Sequence, residues 1–405
     1  MKKDKVKMNN GYPSPDGISR IKRYFFAGLL IIIPLVLMEL FSFSYIKLKS
    51  GKGTYRQRLK PVDSPYHPYL GYVHRPNFTF NITKRDISRK MGIKTDANGY
   101  SITPAFSYKD PDMTIIVTGG STIFGVGSSD NSTTVPSILE RIINQHLNLR
   151  AEVVNMALRG ANSFQEMLLV DRYFAENRAD LVLAISGVND ASQDPSLITV
   201  EDRFLGRQIW NNAVSLVHRA EEGDLMVINL VHKLRSWSYT FDLLYRQLKD
   251  DSRPSQGDLM TLAAPTELNL RRDASIDIDQ QARITATQFA AADQISKINA
   301  ADFIMILQPT LFTKKNWSAE ETHRIEKRKW SDETLKTYEQ SQDQFYQAFR
   351  KTQKPFQFID LSGIFAESNE TLYIDHCHYN DLAAEKFAER IFESIQPALQ
   401  QIMRR

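Results

Sequence analysis

Five residues of this 405-residue chain have the types and spacing needed to transfer an acyl group. Ser121 stands directly after Gly119-Gly120, where the backbone can turn sharply and leave a hydroxyl open. His378 lies three residues after Asp375, close enough for one turn to aim the carboxylate at the imidazole. Gly160 can present a bare backbone N–H, and Asn189 offers a carboxamide donor beside the N–H of Ser121 itself. Acyl transfer through serine requires a hydroxyl, a base, a carboxylate that orients the base, and donors for the oxyanion. Each requirement has a candidate here.

Other chemistries compete for the same residues. Gly-Gly-Ser after a strand also suits a phosphate loop, but no Lys follows at Walker spacing. Phe124-Gly125-Val126-Gly127 lacks the rest of a dinucleotide fingerprint. Asp375, His376 and His378 are spaced for a metal ion, yet only Asp190 joins them on the same rim, so no metal and no cofactor is expected. His376 adjoins Asp375, which makes a directed hydrogen bond awkward and leaves His378 as the expected base. Taken singly, Gly160 reads as a turn residue, Asn189-Asp190 as a helix cap, and Cys377 as packing; it is their joint order that favours a site.

These residues need a frame that brings them together. Met113–Thr118, Glu152–Asn155, Asp180–Ile185, Phe303–Leu307 and Phe356–Ile359 are short apolar runs, as in strands covered on both faces. Helical stripes alternate with them: Ile138, Leu139, Ile142 and Ile143 after Pro136; Phe164, Met167 and Leu168; Ala291, Ile295 and Ile298; and Phe387, Ile391 and Ile395. The alternation predicts an α/β fold with a five-stranded parallel sheet between helical layers. Ligands bind beyond the carboxyl ends of such strands, which is where the candidate residues fall. The excursion at about 191–280 is too long for a bare loop and reads as a helical insertion lying over the strand ends, with Trp210, Trp237, Tyr239, Phe241 and Tyr245. The charged stretch 313–350 reads as surface helix, with Ser318 and Glu321 at capping-box spacing.

The order Gly-Gly-Ser, then Gly160, then Gly-x-Asn-Asp, then Asp-x-x-His resembles the SGNH (GDSL-type) hydrolase superfamily over residues 113–395. Gly120 stands where the family most often has Asp. Gly-Gly-Ser-Thr, Gln308-Pro309 after the fourth strand and Asn98-Gly99 before the first are similar to a membrane-anchored bacterial envelope subgroup. The resemblance implies a flavodoxin-like sheet, Ser121 as nucleophile, Asp375 as orienter and His378 as base. It also implies an oxyanion hole of Ser121, Gly160 and Asn189.

The net charge of +4 is concentrated in the first 23 residues, which carry seven Lys/Arg against Asp4 and Asp16. The remainder is close to neutral, which argues against a nucleic-acid partner. Tyr24–Ile46 is apolar apart from Glu39 and a few Ser/Tyr side chains, long enough to cross a hydrocarbon core. With Arg20, Lys22 and Arg23 before it, it reads as a single signal anchor; Ser42 and Ser44 form a competing small-x-small cleavage site. A lone Cys forms no internal disulfide. The expected organisation is a cytoplasmic tail (1–23), a transmembrane anchor (24–46), a linker and wrapping segment (47–112) and a hydrolase domain (113–400). The expected function is an esterase in the cell (inner) membrane, cutting acyl esters, most simply O-acetyl, on a periplasmic or extracellular carbohydrate or lipid. The alternatives are an O-acyltransferase working through the same acyl-serine and a non-catalytic scaffold or glycan-binding protein.

Overall fold

The computed structural model describes residues 15–49, 64–67, 69–82, 91–104, 110–192, 230–231, 233–235, 237–248, 277–327 and 332–405. They fall into two compact units. One contains the N-terminal helix Pro15–Lys49 and the helix Tyr239–Leu248. The other contains a five-stranded sheet and its helices.

The apolar runs form β1 (Met113–Gly119), β2 (Ala151–Asn155), β3 (Leu181–Ser186), β4 (Asp302–Leu307) and β5 (Gln357–Asp360). All pair in parallel, in the order β2-β1-β3-β4-β5. This is the flavodoxin-like order, and its switch point lies between β1 and β3. Five long helices accompany the sheet: α1 (Val135–Leu147), α2 (Ser163–Phe174), α3 (Ile278–Ile298), α4 (Asp332–Lys351) and α5 (Asp381–Ile402).

Successive strand residues point to opposite faces, so each run feeds two cores. Ile115, Val117, Leu183, Ile185, Ile304 and Ile306 pack with Leu139 of α1 and with Phe387 and Ile391 of α5. Ile116, Val182, Ala184, Met305 and Leu307 pack with Leu169 of α2, Phe289 of α3, and Phe345 and Phe349 of α4. The three-layer α/β architecture expected from the alternation is therefore present. β5, at the sheet edge, is the most exposed strand, with Gln357 and Asp360 at the surface.

The charged stretch differs in detail from a plain surface helix. It forms Ala319–Lys327 and then α4, whose Phe345, Tyr346 and Phe349 are buried. The capping box forms, with Ser318 N donating to Glu321 Oε2 at 2.8 Å and Glu321 N to Ser318 Oγ at 3.2 Å. Glu321 is nevertheless buried, bound to Lys314 at 2.6 Å, and it accepts from the N–H groups of Leu372 and Tyr373. Asn189-Asp190 does not cap the short turn Val188–Ala191, whose N-cap is Gly187 with no side-chain bond. Of the expected insertion, 193–229 and 249–276 lie outside the described residues, Trp210 among them.

Residues 64–104 form two antiparallel ribbons, Tyr66–His67 with Gly71–Tyr72 and Thr79–Ile82 with Met91–Lys94.

Phe289 is fully buried against Phe303 and Phe356, whereas Ile298 on the same helix is 83% exposed. Phe289→Ala should cost about 3–5 kcal/mol of unfolding free energy. Ile298→Ala should cost less than about 0.5 kcal/mol. Urea titration of both variants tests the assignment of α3's inner face, and equal losses would refute it.

Candidate active site

β1 ends in Gly119, and Ser121 is the first residue of a single helical turn, Ser121–Phe124. Gly120 precedes it in extended conformation, and a Cβ on Gly120 would collide with Asn189 Nδ2. A side chain at position 120 would therefore require the Asn189 carboxamide to shift. Asn189 donates through Nδ2 to the carbonyl of Ala161 at 2.6 Å. That contact joins the third element of the site, because Ala161 directly follows Gly160. A carboxamide nitrogen carries two hydrogens, so one remains for an oxygen placed above Gly120. Among the described residues no acceptor is recorded for the backbone N–H of Ser121 or Gly160.

The imidazole arrives from 257 residues away: His378 Nε2 is 2.7 Å from Ser121 Oγ. Its Nδ1 lies 2.8 Å from each carboxylate oxygen of Asp375. Facing a carboxylate, Nδ1 carries the proton, and Nε2 is left with its lone pair toward the serine hydroxyl. Asp375 is itself buried, and its Oδ1 also accepts from the N–H groups of Cys377 at 3.0 Å and His378 at 2.9 Å. An Asp accepting from the backbone two and three residues on is the local turn that the Asp-x-x-His spacing builds.

The loop bearing these residues is closed by a Tyr373–Tyr379 bridge and by Ile374 N donating to His378 O at 2.9 Å. It is tied sideways to the segment after β4. There the Tyr379 hydroxyl donates to Pro309 O at 2.8 Å, and Leu311 N donates to His376 O at 3.0 Å. Gly127, with φ +111°, lets the turn after Ser121 approach this loop, since a Cβ there would strike the carbonyl oxygen of Tyr379.

Thus Ser121, His378 and Asp375 come together as one hydrogen-bonded chain, and Asn189 and the Gly160 loop abut Gly120. His376 stands apart from the chain, its Nδ1 3.8 Å from Asp375. Cys377 is buried with Sγ 3.6 Å from His378 Nδ1. Asp375, His376 and Cys377 offer donor atoms within 4.8 Å of one another. A cation held there would take the Asp375 carboxylate away from the imidazole.

Sequence reasoning missed the polar struts beneath the rim. Glu166 of α2 is wholly buried and accepts from Thr118 Oγ1 of β1 at 2.8 Å and Ser186 Oγ of β3 at 2.6 Å. It therefore couples the two strand ends whose loops carry Ser121 and Asn189. Asp190 is buried beside it and receives the Ser163 hydroxyl at 2.6 Å and the Ser163 N–H. Asn155, closing β2, donates to Ile123 O at 3.0 Å under the serine turn. The ribbons clamp the Gly160 loop: the Tyr72 hydroxyl donates to Arg159 O, and buried His74 Nε2 accepts from Arg159 N at 3.2 Å. The available signal was polar residues on otherwise apolar stripes and strand ends.

Burial pushes the Glu166 carboxyl up to about 8, opposed by the hydroxyls of Ser186 and Thr118 and reinforced by Asp190. Burial also raises Asp190. His74 is held well below the usual histidine range by burial and by Arg159, so it is neutral and accepts.

No family model matches the chain, and no curated protein matches it. Solved structures do. An acetyl xylan esterase, AlAXEase, aligns at 10% identity over 70% of this chain and 100% of its own, with a TM-score of 0.35. An acetylxylan esterase from Geobacillus stearothermophilus aligns at 12% over 70% and 94%, at 0.33. A member of the lipolytic protein G-D-S-L family from Veillonella parvula aligns at 10% over 69% and 97%, at 0.33. Likeness at this level leaves the chemistry to be argued from the chain's own side chains.

From pH 4.5 to about 8 the folded protein keeps a proton on Glu166 that the unfolded chain has lost. Stability from this group is therefore fully present below 4.5 and declines as pH rises toward 8. Glu166→Gln, neutral throughout, should flatten that decline in Tm, with Asp190 leaving a residual slope of the same sign. An unchanged profile from pH 5 to 8 would contradict the assignment.

Proposed function

We propose that this chain is a serine esterase of the SGNH (GDSL) type. The observation that carries this reading is the chain Ser121 Oγ to His378 Nε2 at 2.7 Å and His378 Nδ1 to Asp375 at 2.8 Å. In the proposed reaction Ser121 Oγ attacks the ester carbonyl carbon while His378 Nε2 takes its proton. The carbonyl π pair moves onto oxygen, where the N–H groups of Ser121 and Gly160 and the Asn189 amide hold it. Asp375 stabilises the imidazolium and fixes its orientation. The intermediate collapses, and the alkoxy group leaves with the proton from Nε2. Water, deprotonated by His378, then attacks the acyl-serine, releases the carboxylic acid and restores Ser121.

The substrate we assign is a short acyl ester, O-acetyl in the simplest case, on a carbohydrate or lipid outside the cytoplasm. The acetyl group comes from the family resemblance. The location is supported by an N-terminal helix long and apolar enough to span a membrane or act as a signal sequence, Lys22–Ile46, with basic residues before it. On this reading the protein is single-pass in the cell membrane.

The full chain in detergent should be labelled by a fluorophosphonate at Ser121, located by mass spectrometry, with Ser121→Ala unlabelled. Ser121→Ala and His378→Ala should each abolish turnover of p-nitrophenyl acetate, and Asp375→Asn should lower kcat by about 10⁴. Asn189→Ala should lose about 10²–10³ in kcat with little change in KM. Normal turnover by Ser121→Ala would end the proposal.

A further inference from the structure

Glu39 is an anomaly in the apolar run, because a carboxylate in hydrocarbon is costly unless it is held. In the unit that contains the N-terminal helix it is held. The Ser238 hydroxyl donates to Oε1, and the N–H groups of Tyr239 and Thr240 donate to Oε2 at 2.7 and 3.4 Å. Ser42 Oγ, nearly one turn further on, lies 3.2 Å from Thr240 Oγ1, and the rings of Phe43 and Tyr239 are 5.0 Å apart. The polar face of the apolar helix is thus matched by a segment nearly 200 residues later in the chain.

Depth follows from these contacts. Glu39 is seven residues before Ile46, the end of the apolar run, hence roughly 10 Å inside it. If the run crosses a bilayer, Ser238, Tyr239 and Thr240 lie at that depth too. From Leu230 to Leu248 the segment carries four Lys/Arg/Asp side chains, Lys233, Arg235, Asp242 and Arg246. Its charges at Arg235 and Asp242 pair at 3.0 Å, both buried, with the guanidinium 4.0 Å over the Tyr245 ring. Lys233 is exposed, but its four-carbon stem allows the charge to run to the headgroups. Outward face Trp237, 75% exposed, Leu230 at 55% and Leu244 at 52%. The N-terminal helix likewise exposes large apolar side chains along its run, Leu30, Ile31 and Leu40 among them.

We propose that the segment around Trp237–Leu248 is a second membrane-embedded element, whose exposed apolar side chains meet lipid acyl chains at the level of Glu39. The inference rests on reading Lys22–Ile46 as an uncleaved anchor and goes beyond it.

The test uses the full-length protein in phosphatidylethanolamine–phosphatidylglycerol vesicles, with and without bromine on the acyl chains, and compares wild type with Trp237→Phe. Bromolipid is expected to quench a component of wild-type tryptophan emission that Trp237→Phe lacks. Intact mass and alkaline extraction are read on the same samples. A protein that has lost the residues up to and including Ser44, or that alkali strips from the vesicles, overturns both the anchor and this inference. An intact, alkali-resistant protein whose Trp237 component is unquenched overturns this inference alone and leaves the anchor and the esterase standing.

Discussion

A parallel sheet delivers every strand's carboxyl end to one edge, and the rest of the site depends on that constraint. At the switch point between β1 and β3, one strand hands the chain to Ser121 and the other to Asn189. Registry between those two ends is held by more than the ladder. Glu166 accepts from Thr118 on one strand and Ser186 on the other, in a wholly buried position. A buried hydroxyl or carboxyl left unpaired would cost roughly 1–3 kcal/mol. The cluster therefore favours one spacing of the strand ends, and with it one spacing of the nucleophile from the amide of Asn189.

The histidine comes from elsewhere and is held by different means. No strand presents His378; it sits in a loop between β5 and α5 that has little regular structure of its own. Its anchors are the Tyr373–Tyr379 bridge, the bond from Tyr379 to Pro309, and the two N–H groups that Glu321 accepts from Leu372 and Tyr373. Glu321 can take that part because Lys314 neutralises it in the interior. Breaking one partner of such a buried pair strands the other charge. A capping residue on a charged helix thus helps to fix the position of the imidazole.

Strand positions were legible because burial on both faces forces apolar runs, and the stripes of α1 and α5 mark their buried faces. On α2 the core is met by Leu169, Val170 and Tyr173, while the expected Phe164, Met167 and Leu168 are half-buried. On α3 Phe289 is buried, while the expected Ile298 is exposed. The chemistry-bearing residues were legible for a related reason: they are polar or glycine residues immediately after such runs. What escaped was the network under the rim. Glu166 and Asp190 look like ordinary polar positions of helix and loop, and their burial depends on which strand ends they face, a tertiary fact. The capping box at Ser318 was readable from spacing, whereas the burial of Glu321 was not, because it is set by Lys314 and the His378 loop. The clamp of Tyr72 and His74 on Arg159 joins residues more than 80 positions apart without any periodic signature.

The N-terminal helix shows the same limit from the other side. By composition, Ser42 and Ser44 are small residues at cleavage-site spacing, and Glu39 is a defect in an apolar span. In the fold, Ser42 is buried against Thr240 and Glu39 closes on Ser238–Thr240. Cleavage after Ser44 would remove the carboxylate that the N–H groups of Tyr239 and Thr240 donate to. The polar side chains in the run therefore have partners within this fold, and the proposed anchor makes use of them. The same two residues that weaken the run as a plain anchor are the ones that make it half of a helix pair.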